Sequence, residues 1–437
     1  MVSHHSEEPE APVQSRAVPV LPADAPVLPV IVGNDIADYS LARIFHETAG
    51  LRSLILAEYY RGPVNSSSIL DIRILPQGTL LDEERFVAAL DQVARDFPNN
   101  RLLFLVNSDE GTEFVTRHAE RLSDRWFLPY SSWETVTRVN SKEELAQLCA
   151  SLGLAVPHRA VVSLSHPETW EATLSEVTFP IVVKPLSGAD TNVHWKDGLR
   201  KIVECAERSQ ALEYFEALHA AGVAVELMIQ DLILGDDTTQ WVVNGYVDGR
   251  GEITVCASGR VLLGLHDPHL IGNAAMILLE KNDALISDAK RLIAASGLRG
   301  FFSLDVKIDP RDGVARWLDL NPRIGRSHYY MKVGGIDMAA TVLADLEGRS
   351  HPYQTNSREG IYTVVPMLLA SRRYLRDDAL YRRVRRMRLR IGKRRIVNPL
   401  AYPADRHIKR TIYRILNGIN QVRSIRRWYP RATDTGF

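Results

Sequence analysis

The chain has 437 residues, of which 45% are hydrophobic and 24% charged, and its 53 basic side chains balance its 53 acidic ones. This length and composition are typical of a globular protein with two or three domains and exclude a disordered or fibrous chain. The three cysteines are widely spaced, which argues against a disulfide framework and a zinc site. The sequence has no apolar run of membrane-spanning length and no signal pattern, so we predict a cytoplasmic protein without a membrane span.

The first part of the chain predicts a tail followed by an α/β domain. Residues 1–27 are rich in Pro, Ala and Glu without periodicity, which is typical of disorder. Apolar strands then alternate with amphipathic helices: strands at 27–33, 52–57 and 101–106, and helices at 37–48, 84–97 and 109–122. This alternation predicts a doubly wound parallel sheet over residues 28–135. Gly33, Asn34 and Asp35 follow the first strand, where such sheets bind ligands, but the absence of GxGxxG argues against a dinucleotide.

A helix is predicted to begin after Ser141. Ser141 is a good N-cap residue, and Glu144 stands three residues later, which together predict a capping box. The helix should end near Gly153, ahead of Pro157. Lys142 lies in its first turn and, taken alone, is an ordinary surface lysine.

The next motif is a β-branched strand that delivers a lysine at its end. Phe179–Pro185 reads FPIVVKP, with Lys184 just before the proline. A lysine there can neutralise phosphate, and Ser187 and Gly188 could offer backbone N–H groups to phosphate oxygens. An edge lysine on a surface strand is the alternative. The following stretch 189–195 contains no glycine, so how phosphates would be covered is left open.

A third segment runs from an apolar strand into acids. Residues 223–234 lead to Gly235, Asp236 and Asp237, which could be a simple turn. Residues 240–247 and 252–261 then predict a hairpin around the turn 248–251. Arg260 lies near the end of its second strand.

The segment Gly300–Arg323 predicts a hairpin with a metal site. Alternation of apolar and polar residues over 301–308 and again over 314–320 indicates two strands around the turn DPRDG. Asp305 on one strand, with Asp319 and Asn321 on the other, would place two carboxylates and an amide together, a donor set suited to Mg²⁺. Arg323 would add a fixed cation. A solvated pair of acids is the alternative.

These motifs, in this order, resemble the ATP-grasp superfamily over roughly residues 28–350. The resemblance implies a pre-ATP-grasp domain (28–135), an ATP-grasp domain (136–350) and a basic helical extension (351–437). It implies ATP with Mg²⁺, or Mn²⁺ in its place, as cofactors. The roles that it implies fall on these residues: metal binding by Asp305, Asp319 and Asn321; phosphate binding by Lys142, Lys184, Ser187 and Gly188; adenine binding by backbone groups near Gln230, Asp231 and Ile233; ribose binding by Asp237, with Asp236 as the near alternative; and a γ-phosphate contact from Arg260.

Within the superfamily, the hinge and the hairpin look most like the carboxylate–amine ligase branch that includes D-aspartate ligase. Ser303 stands where the D-alanine–D-alanine ligase branch usually keeps an arginine. The resemblance implies a ligase that activates a carboxylate as an acyl phosphate, with Arg323 stabilising charge, and it suggests the addition of an amino acid such as D-aspartate to a peptidoglycan precursor. Arg326, His328, Tyr329 and Lys332 are candidates for the acceptor site, although a structural role suits His328 better. The alternative function is a catalytically idle nucleotide-binding adaptor.

The C-terminal part is strongly basic. Residues 371–437 hold twenty Lys and Arg against four Asp and Glu. Apolar residues at helical spacing predict two basic amphipathic helices, one with Leu380, Val384, Met387 and Ile391, and one with Ile408, Ile412, Ile415, Ile419 and Val422. Three partners are open: the acidic body or a second copy in a homodimer, an anionic membrane surface, and, least favoured, a nucleic acid. Because the ATP motifs lie upstream of residue 371, we expect removal of this segment to leave ATP binding unchanged.

Overall fold

The computed structural model describes residues 26–186, 188–390 and 395–437. The predicted disordered tail, apart from residues 26 and 27, lies outside these ranges, as do Ser187 and Ile391.

The N-terminal part is a five-stranded parallel sheet. Its elements are β1 (Val27–Val32), α1 (Ile36–Ala49), β2 (Ser53–Ala57), β3 (Leu70–Ile74), α2 (Glu83–Asp96), β4 (Arg101–Val106), α3 (Asp109–Arg117) and β5 (Trp126–Phe127). The strand order is β3-β2-β1-β4-β5. The central strands β1 and β4 are almost wholly buried, as the apolar runs predict for a sheet covered on both faces. The doubly wound sheet is confirmed; β3 was not predicted, and α3 ends earlier than expected because its last turn gives way to a 3₁₀ turn.

Two helices, α4 (Trp133–Val139) and α5 (Lys142–Ser151), lead into a small antiparallel sheet. Its elements are β6 (Arg159–Ser163), α6 (Trp170–Leu174), β7 (Ile181–Pro185), α7 (Gly188–Val193), β8 (Val203–Cys205), α8 (Arg208–Ala220) and β9 (Glu226–Asp231), with strand order β6-β9-β7-β8. Ser141 caps α5 as predicted. The other contact of the predicted capping box, from the Glu144 side chain back to the Ser141 backbone, is wrong, because the Glu144 carboxylate pairs with Arg138 instead. Trp170, Phe215 and their apolar neighbours form a core of their own beneath this sheet.

A seven-stranded sheet forms the centre of the molecule. It is built from β10 (Gln240–Val247), β11 (Ile253–Gly264), β12 (Ala274–Leu278), α9 (Asp283–Ser296), β13 (Gly300–Ile308), β14 (Ala315–Asn321), α10 (Tyr330–Val333), α11 (Met338–Leu346) and β15 (Ile361–Thr363). The strand order is β14-β13-β10-β11-β12-β15-β16, the last strand being β16 (Ile396–Val397). Both predicted hairpins, β10–β11 and β13–β14, are present.

The C-terminal segment adds two helices, α12 (Asp378–Arg390) and α13 (Ile408–Trp428). Leu380, Val384 and Met387 of α12 are buried in the core, whereas Ile408, Ile412, Ile415 and Ile419 of α13 are exposed. Because β15 and β16 extend the central sheet beyond residue 350, the sheet crosses the predicted domain boundary; the division into domains stays a prediction. None of the helices in the described ranges is both long and apolar enough to span a bilayer.

Candidate active site

The two carboxylates of the predicted metal site face each other across a hairpin. Asp305 on β13 pairs directly with Asp319 on β14. Ser303 pairs with Asn321, two residues further along each strand. Since side chains alternate along a strand, Asp305, Asp319 and Asn321 project to one side of the hairpin, as the sequence pattern predicts. All three line the cleft between the central and the small sheet.

The hairpin is irregular at this point. The register shifts between Asp305 and Val306, which leaves Leu318 as an extra residue on β14. Such bulges often occur beside functional sites, where they re-aim a side chain. The Arg159 Nη2 atom donates to the Leu318 carbonyl oxygen at 2.6 Å, and its Nε donates to Gln230 Oε1 at 3.1 Å. Arg159 therefore joins the small sheet to the bulge, a role that the sequence analysis missed.

Cations surround Asp319. The Lys142 ammonium, at the start of α5, donates to the Asp319 carboxylate. Lys184, at the end of β7, lines the same cavity as Asp319. Burial alone would raise the pKa of Asp319, but Lys142 and Lys184 outweigh it and the pKa is lowered. Burial lowers the pKa of Lys184 to about 8, against the opposing effect of Asp319. The lysines predicted to bind phosphate thus lie next to the predicted metal carboxylates.

Asp305 has the opposite electrostatic balance. Burial, followed by repulsion from Asp319, raises its pKa to about 7, although Arg323, Lys142 and Lys184 act against this rise. Arg323 is held in place by a two-point ion pair with Asp109 at the start of α3, with Nε–Oδ1 and Nη2–Oδ2 distances of 2.5 and 3.0 Å. The N-terminal domain therefore orients the cation predicted to stabilise reaction charge.

A cavity of about 180 Å³ extends from these charges to the end of β9. Its apolar walls include Val182, Leu232, Ile233 and Leu318, and Gln230 reaches it from β9. The predicted ribose acid Asp237 and its neighbour Asp236 line its rim. Apolar walls with a polar rim suit a flat heteroaromatic ring joined to a sugar.

The turn after β9 fixes its acids through local hydrogen bonds. Asp237 Oδ2 accepts from the Gly264 backbone N–H at 2.8 Å and lies 3.0 Å from His266 Nε2. Asp236 Oδ1 accepts from the Thr238 backbone N–H at 2.9 Å. Asp231, whose backbone is predicted to contact adenine, uses its carboxylate to accept from the Thr178 backbone N–H. Arg260 donates to the Thr238 carbonyl at 2.7 Å and is not among the residues that line the cavity. Gly188 begins α7, and Ser187 lies outside the described residues.

The C-terminal end of the chain also forms part of this cavity, which no local sequence signal indicated. Thr435, Gly436 and Phe437 line it. Lys307 Nζ donates to the Thr435 carbonyl at 3.1 Å, and the Gly235 backbone N–H donates to the Asp434 carbonyl at 2.6 Å. Residues downstream of 371 therefore line the same cavity as Lys184 and Asp305, which argues against the expectation that removal of this segment would leave ATP binding largely unchanged.

Of the four residues predicted for the acceptor site, only Arg326 lines the cleft. His328 is buried, its Nδ1 lies 3.0 Å from the Gly325 carbonyl oxygen, and burial lowers its pKa to about 4, so it is a neutral structural residue. Tyr329 donates to Glu47, and Lys332 donates to Asp337. Tyr329 and Lys332 thus contact α1, through Glu47 and Thr48.

The residues fit Mg²⁺ and a nucleotide. Among the described residues there is no cluster of three or more His, Cys, Asp or Glu side chains, but the two carboxylates and the Asn321 amide form an all-oxygen donor set, which suits a hard cation. The mutual repulsion of Asp305 and Asp319 is the kind of strain that a divalent cation relieves. Lys142, Lys184, Arg159 and Arg323 leave an excess of positive charge for phosphate oxygens.

The chain is similar in sequence and in fold to individual known proteins. No model of a known protein family matches the sequence. The D-aspartate ligase of Enterococcus faecium (strain Aus0004) is 25% identical over 325 residues, which cover 73% of this chain and 76% of that protein. The fold matches N5-carboxyaminoimidazole synthetase from Staphylococcus aureus, solved with ADP, with a TM-score of 0.56 and 11% identity over 79% of this chain and 84% of that one. It also matches L-amino acid ligase from Bacillus licheniformis, with a TM-score of 0.52 and 17% identity over 74% and 75%.

The chain has the ATP-grasp fold. The predictions of an ATP-grasp ligase similar to D-aspartate ligase, and of ATP with Mg²⁺ as its cofactors, are confirmed. The residue-by-residue roles remain predictions.

Proposed function

We propose that this protein is an ATP-dependent carboxylate–amine ligase that forms an amide bond through an acyl phosphate. One observation carries the proposal. The Asp305–Asp319 pair lies opposite across the hairpin, with Lys142 and Lys184 directed at it from two other elements. This arrangement suits phosphoryl transfer, in which the protein mainly positions the reactants and neutralises charge.

Each residue has a role in the first step, the attack of a substrate carboxylate oxygen on the γ-phosphorus with departure of ADP. Lys142 and Lys184 would neutralise phosphate oxygens, and the walls around Ile233 would hold the base. When bound, Mg²⁺ would be held by Asp305, Asp319 and Asn321 and would supply charge neutralisation for the phosphates.

Arg323 has its role in the second step. An amine attacks the activated carbonyl carbon, negative charge develops on the carbonyl oxygen, and phosphate leaves as the C–N bond is completed. A fixed guanidinium stabilises such charge because it needs no reorganisation during the reaction. The ion pair with Asp109 keeps Arg323 in one orientation.

The similarity to D-aspartate ligase supports an amino acid such as D-aspartate as one substrate and a peptidoglycan precursor as the other. The adaptor alternative has no comparable support, because an idle site has no need of two carboxylates, an amide and four cations in one cleft. We therefore favour catalysis.

An isotope experiment tests the chemistry. A substrate carboxylate labelled with ¹⁸O should transfer one label to inorganic phosphate, with ADP as the other nucleotide product, because the carboxylate oxygen becomes the bridging oxygen of the acyl phosphate. Unlabelled phosphate, or AMP with pyrophosphate, would instead indicate adenylation and contradict the proposal.

We also propose that the exposed side of α13 binds an anionic membrane surface. Ile415, Ile419 and Val422 line one wall of an open groove, and Arg388, Arg414, Arg423 and Arg426 lie around it. Ile415 is 56% exposed, so its side chain is available to a partner. Apolar side chains beside arginines complement the acyl and phosphate regions of anionic lipids, to which each basic residue contributes about 1 kcal/mol.

Co-sedimentation with phosphatidylglycerol-containing vesicles tests this surface. The full chain should bind at low salt and dissociate at high salt. The double variant Ile415→Ser/Ile419→Ser should lose binding, whereas Leu81→Ser, which removes an even more exposed apolar residue from a 3₁₀ turn in the N-terminal part of the chain, should not. Failure of the full chain to bind, or equal loss in both variants, would contradict the membrane assignment.

A further inference from the structure

A second cavity, of about 280 Å³, lies between the N-terminal sheet and α13. Its volume is near the lower end of the ~300–1,000 Å³ typical of small-molecule pockets. The polar side chains that line it are Asp35, Arg61, Arg326, Tyr413, Asn417 and Gln421.

Arg326 connects this cavity to the reaction centre. It lines the 280 Å³ cavity and also the smaller cavity that contains Asp305, Asn321 and Arg323. Its Nε donates to Asp35 Oδ2 at 3.0 Å, which fixes the guanidinium at the junction. A ligand in the larger cavity could therefore extend a carboxylate past Arg326 towards the residues that we assign to phosphoryl transfer.

The charges in the cavity suit a carboxylate. Arg61 and Arg326 line it, and the Asp35 carboxylate is already used by Arg326 and by the backbone N–H groups of Ala37 and Asp38, which it caps at the start of α1. Within the described parts of the chain, the Arg61 guanidinium has no carboxylate partner and lies over the Tyr59 ring, 5.7 Å from its centroid. Arginine binds carboxylates through its planar fork of donors, so Arg61 is free to bind one from a ligand.

The wall opposite these charges is one face of α13. Tyr413, Asn417 and Gln421 are four residues apart, so successive side chains are rotated by only about 40° around the helix and share a face. In the described structure the amides of Asn417 and Gln421 have no hydrogen-bond partner in the protein, so their donors and acceptors are available to a ligand. The Tyr413 ring packs on Gly62 so closely that a Cβ atom there would lie 2.0 Å from it.

A buried ion pair holds this wall in place. Arg410, at the start of α13, lies 3.2 Å from the Asp405 carboxylate (Nε to Oδ2) and donates from Nη1 to the carbonyl oxygens of Pro63 and Asn65 at 2.9 and 3.0 Å. Asp405 in turn accepts from Tyr39 at 2.8 Å. The loop that carries Arg61 and the helix that carries the amides are thus fixed to each other before any ligand binds.

We propose that this cavity binds the amino acid whose carboxylate is activated, with Arg61 and Arg326 holding that carboxylate, and that Asn417 and Gln421 select its side chain by hydrogen bonding. The proposal rests on the ligase function proposed above. It assigns substrate selection to α13, a helix outside the motifs that carry the ATP-grasp resemblance.

Hydroxamate formation tests both proposals and separates them. The full-length protein is given ATP, Mg²⁺ and hydroxylamine with the common amino acids in both enantiomers, because hydroxylamine traps an acyl phosphate as a coloured hydroxamate. Wild-type protein should respond to a small set of polar amino acids. If none of them gives hydroxamate above background, the proposed ligase function and the substrate assignment are both wrong.

Two asparagines on one helix provide a matched pair. Asn417→Ala should raise the KM for the preferred amino acid about 3- to 10-fold, the value of one neutral hydrogen bond, with the KM for ATP unchanged. Asn420→Ala, on the exposed side of α13, should leave both constants unchanged. Gln421→Ala should change the order of preference among amino acids. If the wild type is active and Asn417→Ala behaves like Asn420→Ala, the assignment to α13 is wrong while the ligase function stands.

Discussion

At the scale of single residues, the charge around Asp319 is unbalanced. Lys142, Lys184 and Arg159 all act on this one carboxylate, and each of them lowers its pKa. An excess of cations in a partly closed cleft attracts a polyanion. Until a polyanion binds, the Asp319 carboxylate keeps the three cations in separate positions around it. Asp319 therefore both organises the lysines and offers a ligand to a metal.

We expect Asp319→Asn to reduce ATP turnover about 10²- to 10³-fold, the cost of removing one electrostatic contact to the transition state. The change is isosteric, so the melting temperature should stay close to that of the wild type. Asp312→Asn is the control, because it too removes an ion-paired carboxylate, here the partner of Arg316 at the exposed hairpin turn. Wild-type ADP release by Asp319→Asn would rule out the metal assignment.

The pH dependence should show two limbs. Asp305 must lose its proton to hold a cation, so kcat/KM should fall as the pH drops below about 7. Lys184 must keep its proton to neutralise phosphate, so kcat/KM should fall as the pH rises above about 8. Because Mg²⁺ competes with the proton at Asp305, more Mg²⁺ should move the acidic limb to lower pH. Lys184→Arg should remove the alkaline limb. An acidic limb that ignores Mg²⁺ would argue against Asp305 as a ligand.

Residues on strands were predictable and residues that depend on irregular contacts were not. Asp305, Asp319 and Lys184 could be placed because alternation along a strand fixes which face a side chain takes. Arg159 could not be placed, because its contact depends on the β-bulge at Leu318, and no pattern in the sequence predicts that bulge. Arg260 was assigned by family position alone, and its guanidinium turns to the Thr238 carbonyl instead.

At the scale of elements, α12 and α13 have similar amphipathic patterns and different surroundings. The apolar stripe of α12 packs into the core, whereas the stripe of α13 faces solvent and its polar face packs on the body. Periodicity reveals that a helix has two faces, but which face is covered depends on what lies opposite. The prediction that a basic helix docks on the body fits α12. The apolar side of α13 is exposed and remains available to a partner.

Arg410 should be decisive for the position of α13. Arg410→Met leaves the Asp405 carboxylate without its cation in a buried setting, which we expect to lower the free energy of unfolding by about 3–5 kcal/mol. Thermal or urea unfolding measures the loss. Arg427→Met, an exposed arginine near the other end of the same helix, should change stability by less than about 0.5 kcal/mol. Equal stability of the two variants would contradict an anchoring role.

At the scale of the whole molecule, the C-terminal segment reaches every sheet. Asp405 accepts from Tyr39 and Ser67 beside the N-terminal sheet, Thr435 donates to Glu204 at 3.2 Å on the small sheet, and β16 extends the central one. The sequence placed Lys184 on one strand and Asp305 and Asp319 on one hairpin because each of these motifs is a short continuous segment. It could not show this return of the chain, because long-range packing leaves no local pattern.

Removal of residues 433–437 should weaken ADP binding. Thr435, Gly436 and Phe437 form part of the cavity wall, and loss of their contacts should cost about 1 kcal/mol, or roughly a fivefold increase in Kd. Isothermal titration calorimetry with ADP and Mg²⁺ measures it. Arg431→Ala, just before this segment, should bind ADP as the wild type does. Unchanged affinity in the truncated protein would show that the segment only lies near the site.

The position of these residues in the chain has a consequence for biosynthesis. Domains fold as they emerge from the ribosome, N-terminal first. The parallel sheet and most of the other two sheets can form while α13 and residues 433–437 are still inside the exit tunnel, but the 180 Å³ cavity and the 280 Å³ cavity each lack a wall until these residues emerge. A nascent chain can therefore be folded over most of its length and still lack both complete cavities, so activity should not begin before α13 and residues 433–437 have left the tunnel.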